Sequence, residues 1–169
     1  MMKLILLISL FSSIGLANSI EFITGGLTYH VFGDRTLTNS FPNRLTNDGK
    51  LIYNQLYGIN YINTDGFYYN SYKFFLGRNS IGEPMGGIAF AEGFTIGNLD
   101  TGLLMGVYKQ DGDMFYKKTG GIWTSIDYMP LAGLEFNYKI MLTKTKFIKI
   151  NNYLSPIITN HTISIGENF

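Results

Sequence analysis

Leu134-Glu135-Phe136-Asn137-Tyr138-Lys139-Ile140 alternates apolar and polar residues without a break. Successive side chains of a strand point to opposite faces, so this run has one Leu/Phe/Tyr/Ile face and one Glu/Asn/Lys face. Working outward, the spacing predicts a sixth strand over 130–142 and a short turn at 143–145. A seventh strand over 146–153 carries Ile148 and Ile150 on one face. An eighth over 161–169 sets Ile163, Ile165 and Phe169 against Thr162, Ser164, Gly166 and Asn168.

Upstream, the same period predicts strands over 21–33, 52–62, 67–77, 85–97 and 101–109, and almost nothing reads as helix. The first sets Leu27, Tyr29 and Val31 against Thr24, Gly26, Thr28 and His30. The second sets Tyr57, Ile59 and Tyr61 against Asn54, Gly58 and Asn60. Asn63-Thr64-Asp65-Gly66 is a hairpin signal, because Asp-Gly suits the positive φ of primed turns. Asn98-Leu99-Asp100 reads as another short turn. Long polar loops are expected after the first and fifth strands, and Phe115, Tyr116 and Trp123 in the second of them favour an interaction role.

Charged residues make up 15% of the 169-residue chain and aromatics another 15%, with 12 Tyr and 13 Phe. A net charge of +1 leaves no nucleic-acid footprint, and the absence of cysteine excludes a disulfide framework and a thiolate metal site. Two histidines without a carboxylate at fixed spacing predict no metal site and no cofactor. Residues 1–17 have the charged start, apolar run and small-residue end of a cleaved export signal, which leaves 18–169 as one domain. The competing reading, an uncleaved anchor, needs a longer apolar run.

Eight strands with short turns after strands two, four and six fit an all-β, antiparallel, up-and-down barrel. Short turns on one side, longer loops on the other and apolar-out alternation are the marks of a bacterial-type outer-membrane barrel, and the chain closes on Phe169. The competing architecture is a soluble ligand-carrying barrel with its apolar face inside. Glu92 conflicts with the membrane reading: it shares parity with Ile88, Phe90, Phe94 and Ile96, which predicts a bulge or local change of face. Glu135, Asn137, Lys139 and Lys149 are expected to fill part of the interior. Met85, Gly87, Ala89, Ala91 and Gly93 leave room there for a hydrocarbon chain, unless facing Phe and Tyr side chains close it.

Three places carry a family resemblance. Leu27-Thr28-Tyr29-His30, the run GINYINTDGFYYNSYKFFLGRNS at 58–80, and Glu83-Pro84-Met85-Gly86-Gly87 resemble, in order, segments of the PagP-like lipid A palmitoyltransferase family, an eight-stranded outer-membrane barrel. The resemblance covers about 27–97. It implies acyl transfer from a membrane phospholipid to the lipid A part of lipopolysaccharide by a monomer, with His30 and Ser80 as catalytic residues. Imidazole is a suitable base for a serine nucleophile near neutral pH. Asn79 stands where the family has an acidic residue, and Asp34 and Glu83 are the nearby carboxylates. Arg78 suits a lipid phosphate, since guanidinium binds phosphate in two-pronged fashion. Ser71 and His161 are second candidates for the two roles. The alternative is a non-enzymatic barrel that acts through its surface loops in adhesion, receptor blocking or membrane integrity.

Overall fold

The computed structural model describes residues 18–31, 45–46, 50–79, 82–118, 120–121, 125–156 and 158–169. Eight strands follow one another: β1 (Ser19–His30), β2 (Leu51–Asp65), β3 (Tyr68–Arg78), β4 (Pro84–Ile96), β5 (Leu99–Lys109), β6 (Tyr128–Met141), β7 (Lys146–Leu154) and β8 (Ile158–Asn168). Each pairs antiparallel with the next, and β8 returns to β1, so the sheet closes as the alternation predicts. Closure leaves the barrel no free edge.

One register row shows the tilt. From Ser19 it runs through Ile62, Ser71, Ala91, Leu104 and Gly133. Ser155 then bonds Ile158, which pairs with His30 at the far end of β1. A row that climbs the length of a strand in one circuit is the stagger that a tilted eight-stranded barrel requires.

Gly66 and Gly97 make the tight turns, each with φ of 62°. No other residue in those turns has positive φ, so the glycine comes first in a two-residue loop rather than second after Asp65. The second turn is therefore Gly97-Asn98, and Leu99 and Asp100 already belong to β5. The loop after β5 contains a short helix, α1 (Gly112–Lys118), which the strand-only reading missed. Asp111 caps it through Met114 N, and Lys117 and Lys118 lie in its last turn.

Two expectations about faces need correction. In β1 the register shifts between Thr24 and Gly26 against both neighbours, with Gly25 at φ 34°. This bulge puts Thr24 outside, where its hydroxyl donates to Ile163 O, and keeps Gly26, Thr28 and His30 on the inner side. In β4 the register with β3 and β5 is unbroken, so Glu92 stays on the outer face without a bulge.

The outer wall is apolar and exposed: Leu76, Ile96, Leu103, Met105, Phe22, Ile163 and Ile165 lie there. The interior holds Glu21, Asn60, Ser71, Asp100, Glu135, Asn137, Lys149 and Ser164, all buried. Polar inside and apolar outside is the reverse of a soluble carrier. Aromatic pairs gather beside the turn end, with Phe67–Tyr68 centroids at 4.5 Å and Tyr68–Phe94 at 5.1 Å.

Candidate functional site

The interior divides along the barrel axis. Nearer the tight turns, Lys149 Nζ lies 2.5 Å from Glu21 Oε1 and 2.9 Å from Asp100 Oδ2. Asn60 and Ser164 donate to Glu21 Oε2 at 3.3 and 3.1 Å. Beside this group, Tyr69 OH donates to Glu135 Oε1 at 2.7 Å and Lys73 pairs with Oε2. Lys139 Nζ sits over the buried Phe147 ring at 4.5 Å from its centroid. Buried charges survive when paired and hydrogen-bonded, and these close that half of the barrel to open water. Glu135, Asn137 and Lys149 lie inside as the alternation predicts. Glu21, Asp100, Lys73 and Tyr69 were not anticipated. Glu21 keeps the inner parity of Ile23, whereas Asp100 was hidden by its reading as a turn residue.

Toward the other end the lining becomes apolar. Leu56, Phe75, Met85, Ala89, Leu104, Tyr108, Leu131, Tyr153 and Ile158 surround a cavity of about 150 Å³. The space is of the order that takes a benzene-sized ring, and Thr28, Lys73 and Asn137 share its wall with the apolar side chains. The small residues of β4 make the space, but only in part. A Cβ on Gly87 would meet Phe75 Cζ at 2.6 Å and Val107 O at 2.6 Å, so Phe75 packs over that glycine. Asn151 and Asn160 also line the cavity, and the Oδ1 of each is buried without a hydrogen-bond partner.

Asn79 stands at the mouth and lines the same cavity. Its Oδ1 accepts from Glu83 N at 2.9 Å, its backbone N donates to Glu83 O, and its Nδ2 donates to Gln110 Oε1 at 3.3 Å. Gln110 is buried, and its Nε2 has no partner. Lys118 of α1 pairs with Glu83, so the loop after β5 clasps the β3–β4 loop over the mouth. Arg78 points away from the barrel axis, and its Nη1 donates to Gly82 O at 2.7 Å, which stiffens that loop.

His30 is half-buried on the inner side of β1 at this same end, and its backbone N donates to Lys50 O. β2 lies between β1, which carries His30, and β3, which ends one residue before Asn79. Ser80, Asp34 and Trp123 fall outside the described residues. Glu83 is engaged by Lys118. Ser71 is buried deep in the interior, with its Oγ unpartnered. His161 lies within β8 rather than at its start, faces outward, and its Nδ1 is 2.8 Å from Asn152 Oδ1. The mouth therefore brings together Asn79, Gln110 and Glu83 at a cavity end, with His30 at the same rim.

Among the described residues, β6 has ladder partners on β7 only from Leu134 onward. Just before that point Tyr153 OH donates to Ala132 O at 2.9 Å, so a side chain rather than the backbone ladder links the two strands there. Pro130, which has no N–H to offer, sits on that stretch. Leu131 and Tyr153 line the cavity on either side of this junction.

No family model, no curated protein and no solved structure matches this chain.

Proposed function

We propose that this chain is a membrane-spanning barrel of a bacterial-type outer membrane that takes the hydrocarbon end of a lipid acyl chain into its apolar half. We propose further that it transfers that chain from a phospholipid to a lipid A-type acceptor. The observation that carries the reading is the cavity lined by Leu56, Phe75, Met85, Ala89, Leu104 and Leu131, ending at Asn79, the residue before Ser80. A barrel whose only task is to present loops has no use for an apolar space inside a polar interior. The charged floor limits how deep a chain goes, so only its last few carbons occupy the cavity. The start of β6, which has no ladder partner on β7 among the described residues, is a route from the bilayer that parts only the Tyr153 OH–Ala132 O bond.

In this reading the ester carbonyl lies at the mouth. Ser80 Oγ attacks it, His30 takes the hydroxyl proton and returns it to the departing alkoxide, and the lysophospholipid leaves as the acyl-serine ester forms. A hydroxyl of the acceptor then attacks that ester, its proton passing through His30 to the serine oxygen, which restores the serine. The Asn79 amide supplies geometry to the loop and no negative charge to an imidazolium, which fits a slow enzyme.

The test uses the barrel refolded in vesicles that contain phospholipid and lipid A. The expected product is an acceptor heavier by one acyl chain, lost with Ser80→Ala and with His30→Ala. Ala89→Phe, which fills the cavity, is expected to lower the yield at least tenfold. Activity that survives both alanine substitutions would overturn the site. Absence of product on any lipid acceptor would leave the loop-mediated, non-enzymatic role.

A further inference from the structure

On the outer wall, among the described residues, the charged side chains other than Glu92 stand at strand ends: Asp65, Arg78, Lys109, Lys146 and Glu167. Glu92 does not. It lies inward of the turn between β4 and β5, about 10 Å along the axis at about 3.3 Å per residue and a tilt near 40°. Its register partner on β3 is Asn70, and the partner of Asn70 on β2 is Asn63. These three form a polar row across adjacent strands. Among the described residues none of their side chains has a hydrogen bond or ion pair within the chain.

Aromatic pairs bound the row on both sides. Tyr72 and Phe90, with centroids 5.3 Å apart, lie toward the middle of the barrel. Tyr68 and Phe94, 5.1 Å apart, lie toward the turn. A carboxylate and two amides held between aromatic rings on a lipid-facing wall must find partners in the lipid itself.

The geometry points to a headgroup site on this wall, in which Glu92 takes the ammonium of an aminophospholipid and the Asn63 and Asn70 amides take its phosphate. The inference rests on the membrane-spanning reading and is independent of the acyl-transfer chemistry. The charges select the occupant. A zwitterion presents one cation to the carboxylate and one anion to the amide N–H groups, one strand spacing or about 4.8 Å apart, which disfavours an anionic lipid. A primary ammonium gives the carboxylate charge-assisted N–H hydrogen bonds, which a choline headgroup lacks. A second copy of the chain on a two-fold axis would bring another Glu92 carboxylate into the same notch, which opposes that occupant.

The test takes the full chain refolded in bilayers, extracted into mild detergent with an equimolar mixture of phosphatidylethanolamine, phosphatidylglycerol and phosphatidylcholine, and weighed intact with its bound lipids. Heat-dependent gel mobility checks that each variant is folded. The wild type is expected to retain phosphatidylethanolamine about fivefold over the other two, the scale of a carboxylate–ammonium contact near water. Glu92→Gln and Asn70→Leu are expected to abolish the preference, and Glu167→Gln to keep it. Equal retention of the three lipids by the wild type, or an undiminished preference in Glu92→Gln, would overturn the inference while leaving the membrane reading intact. A Glu92-dependent dimer in the same spectra would assign the notch to a second copy instead. A chain that never enters bilayers would overturn both.

Discussion

Asn79 is the residue at which loop structure and chemistry meet. Its carbonyl oxygen is committed to Glu83 N and its amino group to Gln110, so the side chain is fixed by both neighbouring loops. Asn79→Asp keeps the first bond and loses the second unless Gln110 turns its amide. That turn presents Nε2, which is buried without a partner, to the new carboxylate. The variant is therefore expected to fold with a transition within a few degrees of wild type and to raise the acyl-transfer rate, both measurable on the refolded barrel. A rate unchanged by the added charge would separate Asn79 from any role beside an imidazolium. Deeper in the barrel, Lys149 is the sole cation within ion-pair reach of both Glu21 and Asp100 among the described residues. Lys149→Met leaves those carboxylates buried and uncompensated, at a cost of about 3–5 kcal/mol. Urea unfolding in detergent should show that loss. A change below about 1 kcal/mol would mean that water reaches the cluster.

At the scale of the strand, alternation foretold most of what forms, and the failures have local causes. A period of two carries no information about an extra residue, so the bulge at Gly25 was invisible and Thr24 was assigned to the wrong face. Glu92 failed in the opposite sense. A bulge or local change of face was expected because a charge on a lipid-facing wall is costly, but the register of β4 is continuous and Glu92 stays outside in a row with Asn70 and Asn63. Asp100 was read as a turn residue from the run Asn98-Leu99-Asp100, but Gly97 and Asn98 already complete the turn and Asp100 belongs to β5. The mouth was legible only in outline: small residues on β4 foretold space, but the clasp from Gln110 and Lys118 depends on contacts between distant loops. Close strand packing at the bulge supplies a test. A Cβ on Gly26 would meet His161 O at 2.1 Å, with no flexible atom to give way. Gly26→Ala is expected to cost about 1–3 kcal/mol or to displace β8 locally, seen as earlier urea unfolding. Gly66→Ala is the contrast: nothing lies near its Cβ, so any cost comes from its φ of 62° alone.

For the whole molecule, the distribution of polarity decides the solvent. Leu76 is 72% exposed, Ile96 70% and Leu103 61%, while Glu135 is 1% and Lys149 1%. Burying those outer residues in hydrocarbon recovers about 25 cal/mol for each Å² removed from water. In water the same wall exposes many large apolar side chains at once, well beyond the patches that monomeric soluble proteins tolerate. Exposed aromatic side chains gather at both ends of the barrel, with Phe67, Tyr68 and Phe94 beside one tight turn and Tyr29, Tyr53 and Tyr128 near the loop end. In the membrane-spanning reading the fold also needs lipid to form, because β1 must find β8 across the length of the chain and the partly closed sheet has edges that aggregate in water. The chain is therefore expected to aggregate when denaturant is diluted into buffer and to fold when diluted into vesicles. Folded barrel should run at a different apparent mass from boiled sample on a gel, because closure keeps the sheet intact in detergent until it is heated. If unboiled and boiled samples run together, and the protein stays monomeric without amphiphile, the apolar wall is covered by something other than lipid. The inside-out polarity would then require a partner large enough to surround the barrel.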